Sequence, residues 1–253
     1  MISLPDKFKF WDAENQTIGR SREHVLKLTN SGQTSLFAKF CPLSASNELR
    51  AEAARLSWLN KNRLPSARLN ETIEHNNCLW MITEALPGVD LAQSKIESKK
   101  KVEIVANALL QLHERSTKDC PFDETIDVKL RHAEQNQHDG KVDETDFEDV
   151  HIGRTAAALL QDLIRLKPDH KDIVVTHGDA SLPNLLASDE EFSGFVDCGK
   201  LGISCRYQDL AIASRSIKRN LGEEWVSPFF EAYGIYSPDA ELIYYYMLLD
   251  EFF

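Results

Sequence analysis

The chain has 253 residues, of which 42% are hydrophobic and 27% charged, and a formal net charge of −11. That length admits one large domain or two lobes with a real core, while no run approaches the ~20 uninterrupted apolar residues of a membrane helix. The five cysteines are scattered without a CxxC pair, which argues against a disulfide framework or a zinc site and for reduced thiols. The charge is uneven: residues 1–120 hold 17 Lys and Arg against 14 Asp and Glu, whereas residues 121–253 hold 12 against 26 and are net −14. A second part this acidic repels nucleic acid and attracts cations. The start Met1-Ile2-Ser3-Leu4-Pro5-Asp6 lacks a basic region followed by an apolar one, so a cytoplasmic protein is expected, with no nucleic-acid, membrane or obligatory protein partner.

In chain order, short apolar segments at 8–11, 24–28 and 35–40 predict strands, the last two joined across the turn-rich Thr29-Asn30-Ser31-Gly32. Residues 45–59 read as a helix, with Leu49, Ala53, Leu56 and Leu59 recurring at three- and four-residue steps before Pro65. Two further strands, 67–73 and 78–83, flank Glu74-His75-Asn76-Asn77. Beyond Pro87-Gly88 the pattern turns helical at 101–113, 154–166, 206–217 and 240–249, and the acidic stretch 139–149 reads as the most mobile segment. Strands first and helices after give an α+β class, with an N-terminal lobe at 1–85 and a C-terminal lobe at 86–253.

Within the second lobe the strand Ile173-Val174-Val175 leads into His177-Gly178-Asp179, with Asn184 following after four intervening residues. Thirteen residues past Asn184 comes Asp197-Cys198-Gly199. A short hairpin, 185–187 with 192–196, lies between them. The spacing is that of a kinase catalytic loop and its metal-binding Asp, written here H-G-D and D-C-G. Phosphoryl transfer needs positioning and neutralisation of charge rather than covalent work. Asp179 would accept a hydrogen bond from the attacking hydroxyl and orient it, and His177 would hold the loop. Asp197 and the Asn184 amide oxygen suit Mg²⁺, a hard cation that takes one or two protein oxygens and leaves the rest to water and phosphate.

The nucleotide half of such a site needs a cation, and Lys39 lies on the strand Leu36-Phe37-Ala38-Lys39-Phe40, facing away from Leu36 and Ala38. Glu52, in the following helix, is placed to hold its ammonium. The phosphate-covering turn falls at Thr17-Ile18-Gly19-Arg20-Ser21-Arg22, which has one glycine and no G-x-G-x-x-G, so backbone N–H groups and the Ser21 hydroxyl would cradle the phosphates. Backbone around Thr83-Glu84-Ala85 would read the adenine edge of ATP.

Four segments, ELRAEAARLSWL at 48–59, VVTHGDASLPNLL at 174–186, FSGFVDCGKLGISCRYQDLAIASRSI at 192–217 and LLDEFF at 248–253, resemble the aminoglycoside 3′-phosphotransferases, antibiotic-resistance kinases with a protein-kinase-like fold. The similarity runs over nearly the whole chain from Gln16 onward. The resemblance implies ATP-dependent, Mg²⁺-assisted phosphorylation of the 3′-hydroxyl of kanamycin- and neomycin-like antibiotics. It implies Asp179 as catalytic base, Asn184 and Asp197 as metal ligands, and Lys39 with Glu52 as nucleotide anchor. Drug-binding carboxylates fall on Asp146, Glu148 and Asp149, and on Asp250, Glu251 and the terminal carboxylate of Phe253, with Arg215 ordering this pocket. Lys200 is a departure, standing where related enzymes usually have Arg.

The acidic second part agrees with a polyammonium substrate without the family name. The alternative enzyme is a related small-molecule kinase acting on another amino-alcohol, such as choline, or a sugar. A silent nucleotide-binding protein is disfavoured because Lys39, Asp179, Asn184 and Asp197 are all present. A protein kinase is disfavoured by the lack of an A-P-E segment.

Overall fold

The computed structural model describes residues 3–16, 24–169 and 172–253. The chain divides into two compact units, one made of 1–89 and 185–199, the other of 90–184 and 200–253. Sequence alone places a single boundary at 85/86; the structure instead gives the hairpin after Asn184 to the first unit.

The first unit is built on a five-stranded antiparallel sheet in the order β1-β2-β3-β5-β4, with β1 Asp12–Gln16, β2 His24–Thr29, β3 Leu36–Pro42, β4 Leu69–His75 and β5 Cys78–Glu84. Alternation along β3 and β5 sends Leu36, Ala38, Phe40, Trp80 and Ile82 to one face, where they meet Phe8 and Leu28, and Phe40 stacks on Trp80 at 4.2 Å. Each such burial stabilises by about 1.5–3 kcal/mol. Helix α1, Asn47–Lys61, packs on β3, β4 and β5 and buries Leu49, Ala53, Leu56 and Leu59. The β4–β5 turn has Asn76 and Asn77 both at positive φ, 49° and 59°, a type I′ geometry that asparagine tolerates.

One expectation fails here. Residues 8–11 do not form a strand: Asp6–Phe8 is a single 3₁₀ turn behind Pro5, and Phe8 plugs the sheet core. The first strand follows at Asp12–Gln16, where a polar edge strand facing solvent needs no apolar alternation and leaves no pattern to read. After a two-residue strand β6, Val89–Asp90, the remaining strands of this unit are β8 Leu185–Ser188 and β9 Glu191–Phe195. They are joined through Asp189 and Glu190, again both at positive φ. Phe195 ties the hairpin to the N-terminal chain, donating its N–H to Pro65 O at 3.1 Å and accepting from Ala67 N–H at 3.1 Å.

The second unit is helical: α2 Ser98–His113, α3 Ile126–His138, α4 Ala156–Arg165, α5 Tyr207–Leu221, α6 Val226–Tyr233 and α7 Ala240–Asp250, with the antiparallel pair β7 Ile173–Thr176 and β10 Gly202–Cys205. α2 packs on α6 and α5 on α7. Leu130, Ala133, Leu159, Leu163, Tyr245, Tyr246, Leu249 and Phe252 form one core. Sequence periodicity misses α3 and α6. α3 is mostly polar with only Lys129, Leu130 and Ala133 buried, and α6 is eight residues, about two turns. The acidic stretch 139–149 is anchored: Phe147 is buried, and Glu144 Oε1 accepts the Ala156 N–H at 2.7 Å, capping α4. Among the described residues no helix is long and apolar enough to cross a membrane.

Candidate active site

The loop after β7 is held from below by one buried carboxylate. Asp209, fully buried in the first turn of α5, accepts the N–H of His177 at 2.7 Å through Oδ2 and the N–H of Gly178 at 2.8 Å through Oδ1. His113, at the end of α2, donates from Nε2 to Asp209 at 3.0 Å, and its Nδ1 accepts from the Tyr233 hydroxyl at 2.6 Å, which in turn accepts from Arg206 at 3.1 Å. Arg206 pairs with Asp172 just before β7. Burial alone would raise the Asp209 pKa, but the hydrogen bond from His113, the electrostatic pull of the two imidazoles and the His177 N–H outweigh it and hold the carboxyl below its ordinary range. Burial pushes the Tyr233 phenol up to about 12 against the opposing pull of Arg206, so it remains a donor.

Gly178 has φ +86°, and a Cβ there would stand 2.1 Å from the Lys200 carbonyl oxygen, so both conformation and space require glycine. This is why the loop reads H-G-D. His177 is buried and its Nδ1 accepts the Asp179 N–H at 3.3 Å, a brace within the loop and not an exposed acid or base. Asp179 itself is partly exposed. The Asn184 amide nitrogen donates to the Asp179 carbonyl at 3.0 Å, which leaves the amide oxygen as the atom for a hard cation.

In the first unit Lys39 lies on the sheet face turned to α1, as alternation predicts. Its ammonium donates to Glu52 Oε2 at 2.9 Å and to Asp197 Oδ1 at 2.7 Å, so three expected residues meet there. Asp197 has φ +52°, a left-handed backbone that costs a non-glycine residue about 1 kcal/mol. Its side chain is 55% exposed, against 6% for Glu52, so Asp197 is the carboxylate open to a ligand. Neighbouring Cys198 is buried, and burial together with Glu52 and Asp197 pushes its thiol well above the usual range, so it stays protonated and unreactive. All five cysteines are free thiols.

Among the described residues no cluster of three or more His, Cys, Asp or Glu could hold a metal by itself. Taken separately, the Asp197 carboxylate and the Asn184 amide oxygen are each the hard-oxygen type of ligand that Mg²⁺ accepts, with the rest of its shell left to water and phosphate.

The adenine segment differs from expectation. Thr83 is buried, and the Glu84 and Ala85 N–H groups already donate, to Arg68 O and Ser35 O, each at 2.9 Å. Sheet pairing extends past the end of β5 and uses these donors, so a nucleotide would have to share or displace them. Ser21 lies outside the described residues.

The acidic residues of the second unit fall into two groups. Arg215 on α5 joins Asp250, its close partner, to Glu148 Oε1 at 3.5 Å. Glu251 is nearly buried: it accepts the Glu148 N–H at 3.1 Å and pairs with His151 at 2.6 Å, so it shapes the loop and does not present itself to a ligand. Asp146 and Asp149 stand exposed beside them. Burial would raise the Asp250 pKa, but Lys200, Arg215 and Lys129 outweigh it and keep the carboxyl ionised. The Phe253 ring lies 5.4 Å from Lys129 Nζ and 5.5 Å from Lys200 Nζ.

Sequence reading misses Asp209 and His113. A signal exists for the second, because His113 falls on the stripe of Val102, Ala106 and Leu109, a polar residue on an otherwise buried face.

A β-rich unit carrying a Lys-Glu-Asp cluster and a helical unit carrying an H-G-D loop with its Asn define a kinase-like phosphotransferase. The model of the phosphotransferase enzyme family (APH) matches residues 16–244, and the chain belongs to this family. It is 35% identical to the aminoglycoside 3′-phosphotransferase of Streptomyces fradiae, over 96% of this chain and 95% of that protein. Among solved structures it is similar to an aminoglycoside-3′-phosphotransferase of type VIII, with TM-score 0.85, 30% identity, and coverage of 95% of this chain and 94% of that one. It shares its fold with the aminoglycoside phosphotransferase APH(3'')-Id from Streptomyces rimosus, solved with ADP and streptomycin, at TM-score 0.83, 24% identity, and coverage of 95% and 92%.

Proposed function

We propose that the protein phosphorylates the 3′-hydroxyl of kanamycin- and neomycin-type aminoglycosides with ATP in the cytoplasm and so confers resistance. The full-length likeness to the Streptomyces fradiae aminoglycoside 3′-phosphotransferase carries this reading, since an H-G-D loop alone would suit any small-molecule kinase. Lys39, held by Glu52, binds the nucleotide phosphates. Asp197 and the Asn184 amide oxygen would each offer a ligand to Mg²⁺, which would neutralise charge on the transferring phosphoryl group. Asp179 accepts the hydrogen bond of the 3′-hydroxyl and aims its oxygen. The exposed Asp146 and Asp149, with Glu148 and Asp250, the two carboxylates that Arg215 joins, receive the ammonium groups of the drug.

The direct test is ADP release with ATP and Mg²⁺, comparing kanamycin with its 3′-deoxy analogue. Turnover with kanamycin alone is expected; equal turnover with both would place transfer at another hydroxyl. Turnover with neither would move the substrate to another amino-alcohol or sugar.

Lys39→Met removes a part-buried cation shared by two carboxylates. Losing a charge-assisted contact of about 1.5–3 kcal/mol should raise the KM for ATP by about 10- to 100-fold. The KM for kanamycin should change by less than about threefold. Comparable shifts in both constants would mean that the cluster supports the fold and not the nucleotide.

A further inference from the structure

Lys129 takes no direct part in the transfer proposed above, yet it is the least exposed lysine among the described residues. It sits on α3 with 2% of its surface exposed, and among the described residues no carboxylate lies within 4.0 Å of its ammonium. A buried lysine without an ion-pair partner is costly and needs a compensating contact. The contact it makes is with an aromatic face: its Nζ is 5.4 Å from the centre of the Phe253 ring, within the range of a cation–π interaction. Lys200 Nζ is 5.5 Å from the same ring and 4.0 Å from Asp250 Oδ1.

We propose that Lys129 is a positioning residue for the substrate-binding tail: its buried ammonium, together with that of Lys200, grips the Phe253 ring and so fixes Asp250 and Phe253 where a cationic substrate meets them. The substrate part of this statement rests on the aminoglycoside reading above; the grip on the ring does not. Two lysines side by side repel each other, and the charges of Glu124, Asp250 and Asp209 offset part of that repulsion at Lys129. The backbone of the tail is held elsewhere, by Asn136, which donates to Phe252 O at 2.9 Å, by the Glu251–His151 pair and by the Arg215–Asp250 pair, but none of these contacts reaches the Phe253 ring. Phe252 anchors one side of the tail in the core, and the lysine pair anchors the other.

Burial first, and the Lys200 charge second, lower the Lys129 pKa to about 8, against the opposing pull of Glu124, Asp250 and Asp209. The ammonium that grips the ring is therefore present at pH 7 and lost as pH rises through about 8. The grip should follow it.

The test is hydrogen exchange of the C-terminal peptide covering 250–253 in the full chain, with intrinsic rates corrected for pH. In Lys129→Met, exchange at pH 7 should accelerate about tenfold relative to wild type, and Lys129→Arg should restore protection. Wild type should lose the same protection between pH 7 and pH 9, while Lys129→Met stays flat. In parallel, the KM for kanamycin should rise about tenfold in Lys129→Met with the KM for ATP within about twofold. Tail exchange in Lys129→Met equal to wild type overturns the proposal. Should that variant not fold, unchanged wild-type protection from pH 7 to pH 9 overturns it equally. Failure of wild type to phosphorylate any aminoglycoside would remove the substrate reading and leave the exchange result to decide the grip.

Discussion

Asp179→Ala is expected to lower kcat for kanamycin phosphorylation by about three orders of magnitude while ATP still binds, because positioned general-base groups contribute typically ~10²- to 10⁴-fold. The structure makes this a clean substitution. His177 accepts from the Asp179 backbone N–H, and Asn184 donates to the Asp179 backbone carbonyl, so alanine preserves both contacts and the loop stays built. The Asp209 anchor holds residues 177 and 178 and does not touch the 179 side chain. The carboxylate is thus removed from a loop whose shape is secured elsewhere. Stopped-time ADP release together with calorimetric titration of a nucleotide analogue would separate the two effects. Turnover within about tenfold of wild type would take Asp179 out of its role.

Asp209→Ala should fail differently. The carboxylate satisfies two buried N–H groups and the His113 ring, and truncation leaves all three without an acceptor, at about 3–5 kcal/mol in total. For a chain of this size that corresponds to a fall in Tm of roughly 10 °C. Activity should fall with it, since His177 and Gly178 lose what holds them beneath Asp179. The pH dependence gives an independent check. The folded pKa of Asp209 lies below its unfolded value, so its stabilisation is complete above about pH 4 and is lost as pH falls through the folded value. Asp209→Asn keeps an acceptor but no charge, and should retain part of the stability while flattening this acid limb. A Tm for Asp209→Ala within about 2 °C of wild type would show that the loop is held by other means.

The sequence made the chemistry more legible than the scaffold. The meeting of Lys39 with Glu52 and the bond from Asn184 to the Asp179 carbonyl were readable because strand alternation and loop spacing place these residues. Helices with one apolar face, such as 101–113 and 206–217, were readable for the same reason as any amphipathic helix. Edge strand β1 was not, since solvent on its faces erases alternation, and neither was α3, whose few buried residues include a lysine. The Asp209 network was invisible because it joins α2, α5 and α6 to the β7 loop, residues up to 120 positions apart with no local signal. Glu251 shows the limit of reading acidic residues as ligands: a carboxylate near the tail is taken by His151 and the Glu148 N–H before any substrate arrives.

The first unit is assembled from two stretches, 1–89 and 185–199, separated by 95 residues that belong elsewhere. During synthesis, its N-terminal sheet emerges long before the β8–β9 hairpin whose Phe195 completes the backbone pairing of Pro65 and Ala67. Lys39 and Glu52 must likewise wait for Asp197 to be made. An isolated 1–89 fragment should therefore expose the Leu64–Ala67 backbone and melt without a sharp transition, whereas the same fragment joined by a short linker to 185–199 regains its missing edge. The piece of chain that brings the exposed Asp197 carboxylate is also the piece that closes the unit, so a ribosome-bound intermediate cannot complete the first unit without already holding Asp197.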